Sequence, residues 1–302
     1  MTRAAIIGTG LIGRGWAVVF ARAGWQVRLW DRDPEAARAG RDAAAAMLDD
    51  PDAAGLLDLA PDLAVALDGA RHAQESVPED IAIKRAVFAR MDAAAAPDCI
   101  LASSASAIPG AAIFADLPGR ARCIVAHPAN PPHLLPAVEI VPSAWHSDAQ
   151  VAAAAERMRA VGQVPVIIRK EVPGFVMNRL QAAVVNEAMA LVSAGVVSPG
   201  DLDAVMSGSL GPRWALMGPF ETMDLNAPSG FRDYAARYGD SYRSLGAGPS
   251  DAWPDATLDR IEAARRAAVP SAALPDRQAW RDAGLARISK LKRDLNGGSE
   301  TS

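Results

Sequence analysis

Cysteine is almost absent from this chain of 302 residues, with only Cys99 and Cys123 present. Each adjoins an apolar run, Cys99-Ile-Leu-Ala and Cys123-Ile-Val-Ala, and no metal-ligand spacing links them. Both read as small buried hydrophobes. Histidine is scarce as well, at four copies, and no cluster of His, Cys and carboxylate has ligand geometry, so no metal is expected. No apolar run reaches the ~18–20 residues that span a bilayer. The chain enters its first strand at once, which leaves no room for a signal peptide, so a cytoplasmic location with no membrane partner is expected. Basic blocks are missing too. Thirty-one Lys and Arg face thirty-five Asp and Glu for a net charge of −4, and nothing in that pattern would track a nucleic-acid backbone.

What is present points to an α/β protein. Half of the residues are apolar, a share inflated by alanine, and the length allows about two domains at ~100–200 residues each. Arg3 to Ile7 is a short apolar run fit for a buried parallel strand, and Leu11 to Ala23 continues with helical spacing of Ile12, Trp16, Val19 and Phe20. Between them lies Gly8-Thr9-Gly10-Leu11-Ile12-Gly13. Gly8 permits a tight turn, Gly10 lets backbone approach a pyrophosphate, and Gly13 lets helix pack on strand, with the helix N-terminus aimed at phosphate. A second strand, Gln26 to Trp30, ends in Asp31, at about the ~20-residue offset from which an acid accepts hydrogen bonds from ribose hydroxyls. The expected cofactor is NAD. Arg32 and Arg38 keep NADP open, although Asp31 would repel a 2′-phosphate.

Strand and helix patterns alternate to about residue 170, which implies a Rossmann-like doubly wound sheet of mostly parallel strands. The expected elements are a helix over Pro34 to Leu48, an acidic stretch from Asp49 to Asp68, and a strand over His72 to Val77. A helix over Ile81 to Met91 follows, then strands at Cys99 to Ser103, Cys123 to Ala126, Pro136 to Val141 and Val164 to Arg169. After Val172-Pro173-Gly174 only helical patterns remain. Residues 1–171 are therefore assigned to a nucleotide-binding domain and 172–302 to an all-α domain. Phe175 to Ala194 is its first helix, and Ser198 is an N-cap followed by Pro199 and Asp201. Further helices are expected at Thr222 to Leu225, Phe231 to Tyr238, Asp255 to Ala267 and Asp276 to Asp294. The last carries a stripe of Trp280, Gly284, Ile288, Leu291 and Leu295 before a frayed tail from Gly297 to Ser302.

The candidate chemistry begins with Glu139. It lies inside the apolar strand Ala137-Val138-Glu139-Ile140-Val141, where an isolated carboxylate would cost several kcal/mol or take a proton, so it requires a partner. His127 ends another strand, at the sheet edge where ligands collect. A His127–Glu139 pair would hold one ring nitrogen as a donor and leave the other to accept a substrate proton. Ser106, just past the strand ending at Ser103, and Asn178, in the first turn of the second domain, could hydrogen-bond the reacting oxygen from opposite walls, with the site between domains. Taken singly, each has a structural reading: a core histidine, a strand-edge charge, a turn former before Pro109, a helix-start amide.

The segments GTGLIGRGWA (8–17), VPED (77–80), SSASAIP (103–109), IVAHPANPP (124–132), VEIV (138–141) and KEVPGFVMNRLQ (170–181) resemble the 3-hydroxyacyl-CoA dehydrogenase superfamily, in order and over nearly the whole chain. The resemblance implies Ser106, His127, Glu139 and Asn178 as the active site, Glu79 and Lys84 near the cofactor, and Asn130 near the substrate. It also shows departures. Where members acting on CoA thioesters carry Asn-Thr-Ser, this chain has Ser104-Ala105-Ser106, which changes a cofactor-side contact at Ser104. A lysine of the family's CoA-contacting helix falls on Asp42, with Arg38 and Arg41 nearby. Weak CoA binding is implied.

Farther along, GPRWALMGPFETMDLN (211–226) and RQAWRDAGLARISKLK (277–292) look like the λ-crystallin and L-gulonate 3-dehydrogenase branch. Arg213 there could bind a small substrate's carboxylate bidentately, and L-carnitine dehydrogenases show a similar Arg–Trp stretch. The resulting expectation is NAD-dependent oxidation of a small free 3-hydroxy acid, L-gulonate-like, to the 3-oxo acid. The alternatives are a short L-3-hydroxyacyl-CoA, L-carnitine, or a crystallin-like structural or NAD-binding role. By resemblance, the helical domain should form a homodimer near Phe175 to Ala194.

Overall fold

A computed structural model describes residues 2–216, 218–227 and 231–245, with scattered positions between 267 and 294. By contacts the chain forms two compact units, Met1–Arg179 and Leu180–Ser302. The first holds eight strands, β1 (Arg3–Ile7), β2 (Gln26–Trp30), β3 (Leu57–Leu59), β4 (His72–Glu75), β5 (Ile100–Ser103), β6 (Cys123–Pro128), β7 (Ala137–Val141) and β8 (Val164–Ile167). They make one sheet in the order β3-β2-β1-β4-β5-β6-β7-β8, parallel except for the antiparallel β6–β7 pair.

Side-chain alternation divides the sheet's contents between two apolar layers. On one side Ala4, Ile6, Ile124 and Ile140 meet Trp16 and Phe20 of α1 (Leu11–Arg22) and Met158 of α7 (Asp148–Arg159). On the other, Ala5, Ile7, Leu101, Val125 and Val141 meet α4 (Leu63–Leu67), α5 (Ile81–Ala94) and α6 (Gly110–Phe114). Both cysteines are buried and free, and burial pushes Cys99 up to about 11 and Cys123 up to about 12, so neither presents a reactive thiolate.

The acidic stretch is more ordered than its composition implied. It contains the short helix α3 (Pro51–Ala54), capped by the Asp50 side chain, then β3 at the sheet edge and α4, capped by Asp62. α2 (Pro34–Ala45) starts at Pro34 as expected, with Asp33 as its cap, and ends three residues before Leu48. In the second unit lie the bulk of α8 (Met177–Ser193), α9 (Pro199–Val205), a π-helical turn (Met206–Leu210), α10 (Gly211–Leu216), α11 (Pro219–Leu225) and α12 (Phe231–Leu245). Ser198 caps α9 by accepting from the Asp201 amide. Among the described residues this unit has no strand. The described positions of 276–294 are helical, whereas Trp280, Leu295, the tail from Gly297 and all of Asp255 to Ala267 except Ala267 lie outside the described residues. No helix among the described residues is long and apolar enough to cross a membrane.

One buried titratable group sits in this framework. Burial holds His72 down at about 4, against 6.5 for an exposed imidazole, despite its hydrogen bond with Gln74. As pH falls from 6.5 towards 4 the unfolded chain takes up a proton that the folded chain refuses, so stability drops across that window. At about 1.4 kcal/mol per unit, the loss is roughly 3 kcal/mol. Urea unfolding measured at both ends of the window is expected to show it, and His72→Gln to remove that share. An unchanged pH dependence in the variant would contradict the assignment.

Candidate active site

The glycine turn joins β1 to α1 at the carboxyl edge of the sheet. Gly8 adopts φ +90°, and its amide donates to the Trp30 carbonyl at 2.9 Å. A Cβ there would come within 2.9 Å of the Ser76 carbonyl, and one on Gly13 would strike the Gly8 carbonyl oxygen. Gly10 is different, since nothing lies within 4 Å of where its Cβ would project. Gly10 also caps α1 without any side-chain hydrogen bond, so the first-turn amides around Leu11, Ile12 and Gly13 are left for an anion. Asp31 closes the far side: one carboxylate oxygen accepts from the Thr9 amide at 2.9 Å, the other from the Asp33 amide at 3.2 Å. Arg38 is engaged with Glu35 at 2.6 Å. This cradle fits a dinucleotide diphosphate.

The contrast among the glycines is testable. Gly10→Ala should leave the unfolding midpoint in place yet weaken NADH binding about tenfold or more, equivalent to ~1.4 kcal/mol. Gly13→Ala should destabilise the fold by about 1–3 kcal/mol, because the new methyl overlaps backbone. NADH titration by fluorescence alongside thermal unfolding distinguishes them. Full NADH affinity in Gly10→Ala would overturn the reading of this turn.

The second part of the site is set by register. β6 and β7 run antiparallel with His127 directly opposite Glu139, and alternation puts both on the sheet face that carries Val125 and Val141. His127 Nδ1 lies 2.8 Å from Glu139 Oε2, both residues being buried. The other carboxylate oxygen accepts from the Val176 and Met177 amides at 2.9 Å each, at the start of α8. Burial pushes the Glu139 carboxyl up, but the bond from His127 and the two amides outweigh it and hold the group below the usual carboxylate range. An ionised carboxylate only accepts, so Nδ1 must donate, which leaves Nε2 with the free lone pair. Phe175 buttresses the imidazole, its ring centroid 5.5 Å away, fully buried and at φ +52°. A non-glycine residue in that region carries strain of about 1–3 kcal/mol, sustained here by the packing around it.

Ser106 and Asn178 come together as well. The Asn178 side-chain amide donates to the Ser106 carbonyl at 2.9 Å, so in this structure Asn178 grips the serine loop. From the other side, Glu79 Oε1 accepts from the amides of Ser106, Ala107 and Ile108 at 2.8, 2.9 and 3.3 Å. Although burial works against it, the Glu79 carboxyl is held below its usual range by those amides and the Lys84 charge.

Lys84 itself is 1% exposed, with Nζ 2.8 Å from Glu75 Oε1 and 3.4 Å from Glu79 Oε2. The resemblance implies a place beside the cofactor; in the structure its ammonium is shared by two carboxylates, one of them the Glu79 that holds the serine loop. Glu75, fully buried at the end of β4, also accepts from Ser103 Oγ at 2.6 Å and the Val77 amide at 2.7 Å. Sequence reasoning missed Glu75, because its strand reads His72-Ala73-Gln74-Glu75 and lacks the apolar context that singled out Glu139.

Ser104 faces a separate polar knot. Its hydroxyl meets Trp16 Nε1 at 3.2 Å, Gln74 Nε2 at 2.8 Å and Ser76 Oγ at 3.0 Å, tying α1 to β4 and the end of β5. Asn130 is exposed, three residues beyond His127, and forms a cis bond to Pro131. Arg213 belongs to the second unit, exposed on α10, and is not among the residues brought together above.

Residues 3–172 match the family model described as 3-hydroxyacyl-CoA dehydrogenase, NAD binding domain, and residues 174–255 match that of the 3-hydroxyacyl-CoA dehydrogenase C-terminal domain. The lambda-crystallin homolog of Bos taurus is 42% identical over 311 residues, covering 96% of each chain. An L-carnitine dehydrogenase/betainyl-CoA thioesterase from a Rhizobium species is 34% identical over 318 residues, covering 99% of this chain and 62% of that protein. The crystal structure of 5-formyl-3-hydroxy-2-methylpyridine 4-carboxylic acid 5-dehydrogenase, an NAD+-dependent dismutase, is similar with a TM-score of 0.82 and 28% identity, covering 97% of this chain and 99% of that one. With both domain models matched in order, and a near full-length relative in the λ-crystallin branch, the chain belongs to the 3-hydroxyacyl-CoA dehydrogenase family of NAD-dependent oxidoreductases acting on a CH–OH group.

Proposed function

We propose that the chain oxidises the 3-hydroxyl of a small free hydroxy acid, L-gulonate-like in class, to the 3-oxo acid, with His127 as general base. The observation that carries this reading is the 2.8 Å bond between His127 Nδ1 and a Glu139 kept ionised by two α8 amides. NAD, when bound, supplies the hydride acceptor. His127 Nε2 takes the hydroxyl proton, and Glu139 stabilises the imidazolium that results. The Ser106 hydroxyl binds the reacting oxygen on a loop held at one end by Glu79 and at the other by Asn178. Gly8, Gly10, Leu11, Ile12, Gly13 and Asp31 cradle the dinucleotide, with Ser104 shaping its inner end and Lys84 acting behind Glu79. Residues 1–171 bind the cofactor in this reading. Residues 172–302 contribute Arg213 to the substrate carboxylate and make the homodimer contact, which the exposure of Leu180 and Val184 on α8 supports.

Two observations favour a free acid over a CoA thioester. On α2, Arg38 is paired with Glu35 and Arg41 with Asp42, both at 2.6 Å, so the helix offers no unpaired basic face to a CoA phosphate. The similar solved structure is of a dehydrogenase named for a free carboxylic acid. Arg213→Ala should raise the Michaelis constant for a free acid at least tenfold, with a smaller change in kcat, because a carboxylate contact remote from the reacting carbon contributes mainly uniform binding. A Michaelis constant unmoved by that substitution removes Arg213 from the site. Light scattering tests the dimer, and a monomeric mass removes it.

A further inference from the structure

A second charged cavity lies at the opposite edge of the sheet from the glycine turn. Arg3 opens β1, Arg71 precedes β4 and Asp98 precedes β5. Because β1, β4 and β5 are parallel, all three gather at the amino edge. With Thr2, Gly69 and Arg157 of α7 they line a cavity of about 720 Å3. Gly69, at φ +68°, lets Arg3 pack close, because a Cβ there would sit 2.9 Å from Arg3 Nη1.

The charges around this cavity do not balance. Arg3 and Arg28 share one carboxylate, Asp68, at 3.9 and 3.6 Å, and Arg71 pairs with Asp98. Arg157 stacks 5.3 Å over the Trp25 ring, and among the described residues no carboxylate pairs with it. Three guanidiniums, Arg3, Arg71 and Arg157, therefore line the cavity against one lining carboxylate, Asp98, with Asp68 shared between Arg3 and Arg28 beside it, in a chain that is acidic overall. Arg3 spends its terminal nitrogens on the Asp68 carbonyl at 2.7 Å and Gln26 Oε1 at 3.2 Å, while its Nε is buried with no hydrogen-bond partner. Burial, with Arg71 adding repulsion, lowers the Arg157 guanidinium below its usual range. A dianion entering the cavity would offset the excess: Arg157 has no carboxylate partner among the described residues, and the several oxygens of a tetrahedral oxyanion could meet it together with the already shared Arg71 and Arg3, which stand on separate elements.

We propose that the cavity lined by Arg3, Arg71 and Arg157 is a second ligand site, for a phosphate group, separate from the dinucleotide cradle. The ligand is either free phosphate or a small phosphate monoester, and the two share the chemistry that the arginines recognise. The test is calorimetric titration of the NAD-saturated protein, so that the α1 turn is already filled, at ionic strength held constant with chloride. Inorganic phosphate and glycerol phosphate are titrated in turn into wild type, Arg157→Gln and the more exposed Arg71→Gln.

Saturable binding to wild type is expected, weakened about tenfold or more in Arg157→Gln and also weakened in Arg71→Gln, with all three proteins giving the same NAD affinity. Tighter binding of the monoester would assign the site to a phosphorylated metabolite, and tighter or equal binding of inorganic phosphate would assign it to the free ion. Absence of saturable heat with wild type, or wild-type affinity in both variants, overturns the proposal.

Discussion

Glu139→Gln is expected to lower kcat by about three to four orders of magnitude while leaving NADH affinity and the unfolding midpoint close to wild type. The glutamine carbonyl can still accept from the Val176 and Met177 amides, so α8 keeps its anchor. The change falls on the imidazole. In place of an acceptor 2.8 Å from His127 Nδ1, the ring would meet an amide donor, which reverses the tautomer and puts the proton on Nε2, where the base's lone pair is required. His127→Gln removes the proposed base outright and should lower kcat on the order of 10²–10⁴-fold. Steady-state rates with free acid and NAD measure both. Retention of more than about a tenth of wild-type kcat in Glu139→Gln would mean that the pair does not carry the proton.

Lys84→Met is expected to cost about 3–5 kcal/mol of stability, more than Gly13→Ala, because it leaves the fully buried Glu75 without its countercharge. Burial already pushes the Glu75 carboxyl up against the pull of Lys84, so without the lysine Glu75 would be driven further towards its protonated form. The effect spreads along named contacts. Glu79 loses the ammonium 3.4 Å away, and with it part of the hold on the Ser106, Ala107 and Ile108 amides. The folded fraction of the variant should therefore show a lower kcat as well as a lower unfolding midpoint. Chemical denaturation and rates corrected for folded protein separate the two effects. A variant as stable as wild type would show that the lysine is not needed to neutralise Glu75.

Much of this architecture is legible in the residues, and the parts that are not have physical reasons. β1, the glycine turn and β2 are readable because apolar runs and glycines leave few alternatives, and Glu139 announces a partner because a carboxylate in Ala137-Val138-Glu139-Ile140-Val141 cannot stand alone. The direction of β7 is not readable: side-chain alternation is the same parallel or antiparallel, and only the register shows His127 facing Glu139. α7 escapes a periodicity search because its core positions Ala154 and Ala155 are alanines within an alanine run, with little contrast between faces. β3 is three residues long and needs β2 beside it to exist. Phe175 gives no warning of its positive φ, since sequence patterns reserve that conformation for glycine. Resemblance puts Lys84 near the cofactor, and only the packed structure reveals that Glu75 and Glu79 already hold it.

The identity of the oxidised substrate is the central claim, so the deciding measurement is the initial rate of NADH formation with L-gulonate, L-carnitine and L-3-hydroxybutyrate beside 3-hydroxybutyryl-CoA. Turnover of at least one free acid with NAD, lost in His127→Gln and with a raised Michaelis constant in Arg213→Ala, is the predicted result. Turnover of the thioester alone, indifferent to Arg213, would contradict it and make the chain a short-chain hydroxyacyl-CoA dehydrogenase in activity as well as in family.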